Sequence, residues 1–299
     1  MCDRCHPLLS RRSALLGLTA LGGAAVLSGC GTEQPRGTAA TQASSSPPAP
    51  SAPSPTISEP SEPEQTPDFE ELEAQYGDMQ AQEWGLETSG VTTSFTPAGR
   101  EAVLTLDACG GPGSGGYDAA LIDYLRGAGI PATLFINKRW ALENYAITGE
   151  LIEDPLFEVA NHGTEHKPLS VTGQEAYGIT GTASLEEAYH EVMDNQQFFQ
   201  DSFGVELAFF RAGTAYTDEI AAQMAADLGI PVVNFSVNGD AGATYSAAEI
   251  QSAMQGTGAG DIVIGHFNQP GSEVAVGLTA AVEEAAGRGI EWRTLGEVL

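Results

Sequence analysis

The stretch YDAALIDYLRGAGIPATLFIN, residues 117–137, decides the fold. Tyr117–Ala128 carries a helical pattern. Gly129-Ile130-Pro131 then stops the helix and turns the chain, and Ala132–Asn137 reads as an apolar strand ending on a polar residue. The same punctuation returns where a helical Asp218–Leu228 meets Gly229-Ile230-Pro231 and a strand-like Val232–Ser236. Working outward, further strand candidates are Ala102–Asp107, Phe157–Asn161, Leu207–Arg211, Asp261–His266 and a short one at Ile290–Arg293. Helical patterns fill the gaps at Ala141–Glu153, Ser184–Phe203, Ala247–Met254 and Glu273–Ala286. Alternating strands and helices imply βα units and a parallel sheet. About seven units in roughly 210 residues favour an α/β barrel of about seven parallel strands over an open sheet.

A polar residue sits at each of six strand ends. Asp107 ends the first strand and Asn137 the second; His162 follows the third; Arg211 ends the fourth; Asp240 follows the fifth; His266 ends the sixth. In parallel barrels that edge is where sites form, because the strand ends and βα loops converge there. Taken singly, each has a packing explanation, such as a buried ion pair for Arg211. Six at one edge favour a site.

The N-terminal part is of another kind. Ser10-Arg11-Arg12-Ser13 is a twin-arginine signal followed by an apolar run from Leu15 to Leu27, too short to span a bilayer comfortably. The run ends at Leu27-Ser28-Gly29-Cys30, which resembles a bacterial lipobox with Cys30 as the lipid-bearing residue. The expected organisation is a lipoprotein signal peptide over 1–29, a Ser/Pro/Thr/Glu-rich linker over 30–83 and a folded domain over 84–299. Residues 31 to 66 have almost no large apolar side chains and are expected to be a disordered tether. Asp68–Gln82 is acidic, with the makings of a short helix. The protein is thus expected at the outer face of the cytoplasmic membrane, touching the bilayer only through lipid on Cys30.

Of four cysteines, Cys2 and Cys5 leave with the signal and Cys30 carries lipid, so only Cys109 remains in the body and no intrachain disulfide framework is possible. Residues 1–29 hold Asp3 and three arginines. Their removal takes the balance from 12 basic against 40 acidic residues to 9 against 39, a net charge of −30. Nucleic acid is therefore no partner.

His162 and His166 stand four residues apart in Asn161-His162-Gly163-Thr164-Glu165-His166-Lys167-Pro168, just after an apolar run. That spacing lets two imidazoles converge on one metal ion, and imidazole suits zinc and its transition-metal neighbours. Gly163 and Pro168 make the segment a loop or a single turn, not a long helix.

The series Leu104-Thr105-Leu106-Asp107, Asn161–Leu169, Phe210-Arg211-Ala212-Gly213-Thr214 and Ile262-Val263-Ile264-Gly265-His266 resembles the motifs of polysaccharide deacetylases, carbohydrate esterase family four. The resemblance covers about residues 84 to 299, and the His-x-x-x-His piece is its most specific part. It implies a distorted (β/α) barrel with one divalent metal ion, zinc first and cobalt, nickel or manganese as alternatives, that removes acetyl groups from an N-acetylated glycan such as peptidoglycan. By the same resemblance Asp107 is the general base, His162 and His166 are metal ligands, Arg211 holds Asp107, His266 is the general acid, and Asp240 matches the carboxylate that tunes it. The chemistry fits these residue types. An amide carbonyl needs a Lewis acid to take up oxyanion charge, a carboxylate takes the proton of water, and a second group protonates the departing amine. A backbone N–H near Gly213-Thr214 is a candidate oxyanion donor.

The chain departs from the family at two places. The family has two adjacent acids in its first motif, the second a metal ligand, and here Ala108 stands in that place, followed by Cys109-Gly110-Gly111-Pro112. The third ligand is left open among Asp107, a Cys109 thiolate, Asp118, Asp240 and water. Thr214 replaces an aromatic, with Tyr216 as a substitute sugar contact. The glycine-rich loop 110–116 lacks a phosphate-loop ending and argues against a nucleotide. His190 lies among acidic neighbours and reads as a surface residue, whereas Trp140 and Tyr117 suit sugar stacking or core packing equally. Two other readings stay open: an inactive glycan-binding lipoprotein with the same barrel, and a metal-binding surface protein. Cleavage of O-acetyl esters also stays open.

Overall fold

The computed structural model describes residues 66–299. The signal segment, Cys30 and the stretch expected as a disordered tether lie outside the described residues. In chain order the elements are α1 (Phe69–Tyr76), β1 (Glu101–Ala108), α2 (Ala119–Ala128), β2 (Ala132–Ile136), α3 (Lys138–Glu143), α4 (Tyr145–Glu153), β3 (Phe157–Asn161), β4 (Glu175–Ala176), β5 (Ile179–Thr180), α5 (Leu185–Phe203), α6 (Glu219–Asp227), β6 (Val237–Asn238), α7 (Ala247–Met254), β7 (Ile262–His266), α8 (Val274–Gly287) and β8 (Glu291–Arg293).

β1 is the central strand. Val103 through Ala108 are all buried, which a parallel strand covered on both faces requires. The sheet runs β3-β2-β1-β7-β6, and β8 pairs with the first residues of β1; every pairing in this sheet is parallel. β4 and β5 form a separate antiparallel hairpin. Single parallel bridges from Asn161 to Phe210 and from Phe210 to Val232 carry the sheet onward. The amide of Ser236 donates to the Ile262 carbonyl at 3.0 Å, which returns the circuit to β7. A mainly parallel, curled sheet with flanking helices matches the expected α/β barrel, but the segments expected as strands at 207–211 and 232–236 survive only as single bridges.

The helices form where their caps fall. Asp118, Ser184 and Asp218 each accept a backbone N–H in the first turn of α2, α5 and α6. Gly129 at φ 65° ends α2 in the left-handed region that an L side chain disfavours. The helix expected over 141–153 starts at Lys138 and breaks at Asn144, whose amide donates to the Gly115 and Trp140 carbonyls. The folded unit starts before Trp84. Leu72 and Tyr76 of α1 are buried in a cluster with residues of α5 and α6, and the Tyr76 hydroxyl donates to Asp227 at 2.5 Å. No helix among the described residues is long and apolar enough to cross a membrane.

Candidate metal centre and active site

The site is built on the ends of β1, β3 and β7. Asp107 is buried near the end of β1, and its Oδ1 accepts from Arg211 Nη1 at 2.7 Å. The Arg211 guanidinium is fully buried, with four of its five N–H groups paired: Nη1 also donates to Thr105 Oγ1 at 2.8 Å, Nε to the Val233 carbonyl at 3.0 Å and Nη2 to the Asn234 carbonyl at 3.0 Å. The Phe135 ring lies 4.1 Å beneath it. Burial alone would raise Asp107, but Arg211, then His162, outweigh it and hold the carboxyl below its ordinary value. Asp107 is ionised at neutral pH.

The turn after β3 presents the two histidines. Asn137 is not part of the chemistry; its side-chain amide donates to the carbonyls of His162 and Gly163 at 2.9 and 2.8 Å and ties that turn to β2. His162 is buried, and its Nδ1 donates to the Arg211 carbonyl at 3.0 Å. A carbonyl can only accept, so the bond places a proton on Nδ1 and turns Nε2 toward the site, where Asp107 Oδ2 lies 3.6 Å away. That Nε2 lies 3.8 Å from Cys109 Sγ. His166 sits at φ 61°, its ring centroid 5.0 Å from that of His162. Its Nε2 is buried and has no hydrogen-bond partner among the described residues.

Cys109, His162 and His166 bring one donor atom each within 4.8 Å of one another. Two ligands at about 2.3 Å (sulfur) and about 2.05 Å (nitrogen) from a tetrahedral ion lie about 3.6 Å apart, close to the observed sulfur–nitrogen separation. Burial would raise the Cys109 thiol, but the neighbouring His166 and His266 outweigh it and hold it well below its ordinary value, which favours the thiolate that binds metal. The donor set, its spacing and the orphaned His166 nitrogen fit a zinc-type ion. Of the other candidates for third ligand, Asp118 caps α2 and Asp240 pairs with His266, while Asp107 gives Oδ1 to Arg211, keeps Oδ2 3.6 Å from His162 Nε2 and falls outside the donor cluster.

His266 ends β7, and its Nδ1 donates to Asp240 at 2.9 and 3.2 Å. Burial would lower this imidazole, but the Asp240 carboxylate, then Cys109, outweigh it and hold it well above its ordinary value. The pairing with Asp240 favours the protonated imidazole. A cavity of about 420 Å³ opens over Asp107, Cys109, His166 and His266, and among the described residues no lysine or arginine lines it.

All six residues expected to carry the chemistry thus meet: Asp107, His162, His166, Arg211, Asp240 and His266. The expected oxyanion donor is partly committed, since the Gly213 N–H donates to the Lys167 carbonyl at 3.2 Å. Trp140 is core, its Nε1 donating to the Gly116 carbonyl at 2.7 Å. Tyr117 packs on Trp140 and Phe267. His190 is a surface residue paired with Asp194, as expected. Tyr216 lies between Trp84 and Tyr177, and it is Tyr177, on the β4–β5 hairpin and 75% exposed, that lines the cavity. Glu191 was invisible in the sequence. It is an acid within an acidic helix, 25 residues beyond His166, yet 3% exposed and pushed by burial up to about 7.

The fold and site define an α/β barrel with a candidate metal centre at the C-terminal edge of its sheet. Residues 96–233 match the family model for polysaccharide deacetylase, a span that includes Asp107, both ligand histidines and Arg211 and stops before Asp240 and His266. No curated protein matches the chain. Among solved structures, a CE4 family pseudoenzyme from Bacillus anthracis is similar at a TM-score of 0.59 and 17% identity, over 70% of this chain and 68% of that one. The Bc1960 peptidoglycan N-acetylglucosamine deacetylase is similar at 0.59 and 18% identity, over 71% and 93%. A family 4 carbohydrate esterase from Streptomyces lividans is similar at 0.53 and 22% identity, over 65% and 92%. At these identities the structural likeness speaks for the fold, and the family match supports the resemblance read from the motifs.

Proposed function

We propose that the protein is a metal-dependent hydrolase that removes acetyl groups from an N-acetylated glycan. The observation that carries this is the Cys109–His162–His166 donor cluster, of which Cys109 and His166 line one cavity together with Asp107 and His266. A divalent ion held by those three donors would supply a Lewis acid for the acetyl carbonyl. Asp107, pinned by Arg211, takes a proton from the attacking water as its oxygen bonds to the carbonyl carbon. His266, kept charged by Asp240, gives its proton to the nitrogen as the C–N bond breaks, so that water and amide become acetate and amine. The cavity without lysine or arginine suits a glycan uncharged at the reacting sugar. Peptidoglycan is the polymer we propose, in keeping with the activity named for the Bc1960 neighbour and with a tether anchored through Cys30 outside the cytoplasmic membrane.

Acetate release from peptidoglycan and from N-acetylglucosamine oligomers, lost on chelation and restored by zinc, is the expected result. Release from an O-acetylated xylan alone would make it an esterase instead. Cys30→Ser is expected to move the protein from the membrane to the soluble fraction. The second reading, an inactive glycan binder, draws on Ala108 and on the pseudoenzyme among the structural neighbours. It requires glycan binding with no acetate released at any metal loading.

A further inference from the structure

Acidic residues are almost never fully buried unless something holds them. Glu191, in the middle of α5, is buried, and what holds it is the loop that carries His166. Its carboxylate accepts from the Glu165 amide at 2.9 and 3.2 Å and from the Lys167 amide at 3.1 Å, the two residues that flank His166. Its own main-chain carbonyl accepts from the amide and the hydroxyl of Thr164, each at 3.0 Å. Gly163 completes the enclosure, because a Cβ there would run into this carboxylate.

Successive amides converge on one point when the chain passes through a left-handed residue, which makes an anion-binding concavity. His166 is that residue, at φ 61° without being glycine. The backbone turn that gathers the Glu165 and Lys167 amides is thus the one that sets where the His166 side chain leaves the chain, beside His162. What fills the concavity is not a ligand but the carboxyl group of Glu191 of this chain.

We propose that Glu191 is the positioning residue for the third corner of the metal centre: its carboxylate holds the Glu165–Lys167 turn, and with it the His166 donor, in ligating position. The inference rests on the metal-centre reading above and adds a residue that lies outside the motif series.

The test uses cobalt(II) as probe on the purified protein, with affinity read by titration and geometry by the visible d–d bands and the thiolate-to-cobalt charge-transfer band. Glu191→Gln keeps the shape but turns an N–H₂ toward backbone donors. It is expected to weaken cobalt binding about 10- to 100-fold, the usual effect of losing a group that orients a ligand. It is also expected to reduce the d–d intensity at saturation as His166 leaves the ion, while the Cys109 charge-transfer band persists. Glu191→Asp keeps the charge and is expected to fall between the two; should the glutamine variant not fold, this variant decides. Glu187→Gln is the control, because Glu187 lies one turn earlier on α5, exposed and paired with the Lys167 side chain. It should bind as the wild type does. Affinity and spectrum unchanged in both Glu191 variants would overturn the role given to Glu191 and leave the metal centre standing. A wild-type protein that takes up no cobalt would overturn the metal centre and this inference with it.

Discussion

The two halves of the site differ in how complete they are. The Asp107–Arg211 half is closed: the guanidinium spends its donors on Asp107, Thr105 and two backbone carbonyls, and a phenylalanine ring covers it. The Cys109–His162–His166 half is open: Cys109 and His166 are half-buried at the cavity, and a buried imidazole nitrogen of His166 has no partner among the described residues. A finished polar network holds its geometry by itself, whereas an unfinished one costs free energy until something completes it. The half that is already complete carries out proton transfer, which needs a fixed carboxylate. The incomplete half has the arrangement of a group waiting for an ion. Arg211 joins the two, its side chain on Asp107 and its carbonyl on His162.

That contrast can be broken first at Arg211. Arg211→Leu leaves Asp107 buried without its cation and is expected to cost about 3–5 kcal/mol of stability, read by chemical denaturation. A loss under about 1 kcal/mol would mean that the closed half is not closed. Next, Asp107→Asn is expected to cut turnover by about 10²- to 10⁴-fold with metal content unchanged, since it removes the base and not a ligand. Loss of metal in that variant would move Asp107 into the donor set. Asp240→Asn should act on pH dependence more than on the maximal rate. His266 must be protonated to serve as acid, and activity is lost as pH rises through its elevated pKa. Removing the carboxylate that favours the cation lowers that pKa, so the alkaline limb should move to lower pH. An unmoved limb would assign it to another group. The smallest effect is expected from Tyr177→Ala at the exposed mouth, a rise in KM of about 2- to 10-fold with kcat unchanged, the range that one aromatic contact supplies.

Much of this was legible in the sequence because strand ends are where the chain is most constrained. Asp107 and His266 close apolar runs, and the His162/His166 spacing needs no tertiary information. The segments 207–211 and 232–236 read as strands, yet the carbonyls of Val233 and Asn234 turn to the Arg211 guanidinium and not to a neighbouring strand. A buried cation takes acceptors that a ladder would use, and its position in space is not written in the local pattern. Cys109 could be named only as one candidate among several, because choosing it required knowing that Asp118 caps a helix and Asp240 serves His266. Glu191 was hidden for a related reason: an acid on a helix looks solvated until the loop that buries it is placed.

The measurement that bears most directly on the metal centre is metal content per chain, by elemental mass spectrometry, in the wild-type protein and in Cys109→Ala after loosely held ions are removed. The expected result is about one zinc, cobalt, nickel or manganese per wild-type chain and close to none in the variant, since three protein ligands are the usual minimum for a catalytic site of this type. Equal metal content in the two proteins would contradict the assignment of Cys109 as the ligand that stands in for the acid missing at Ala108.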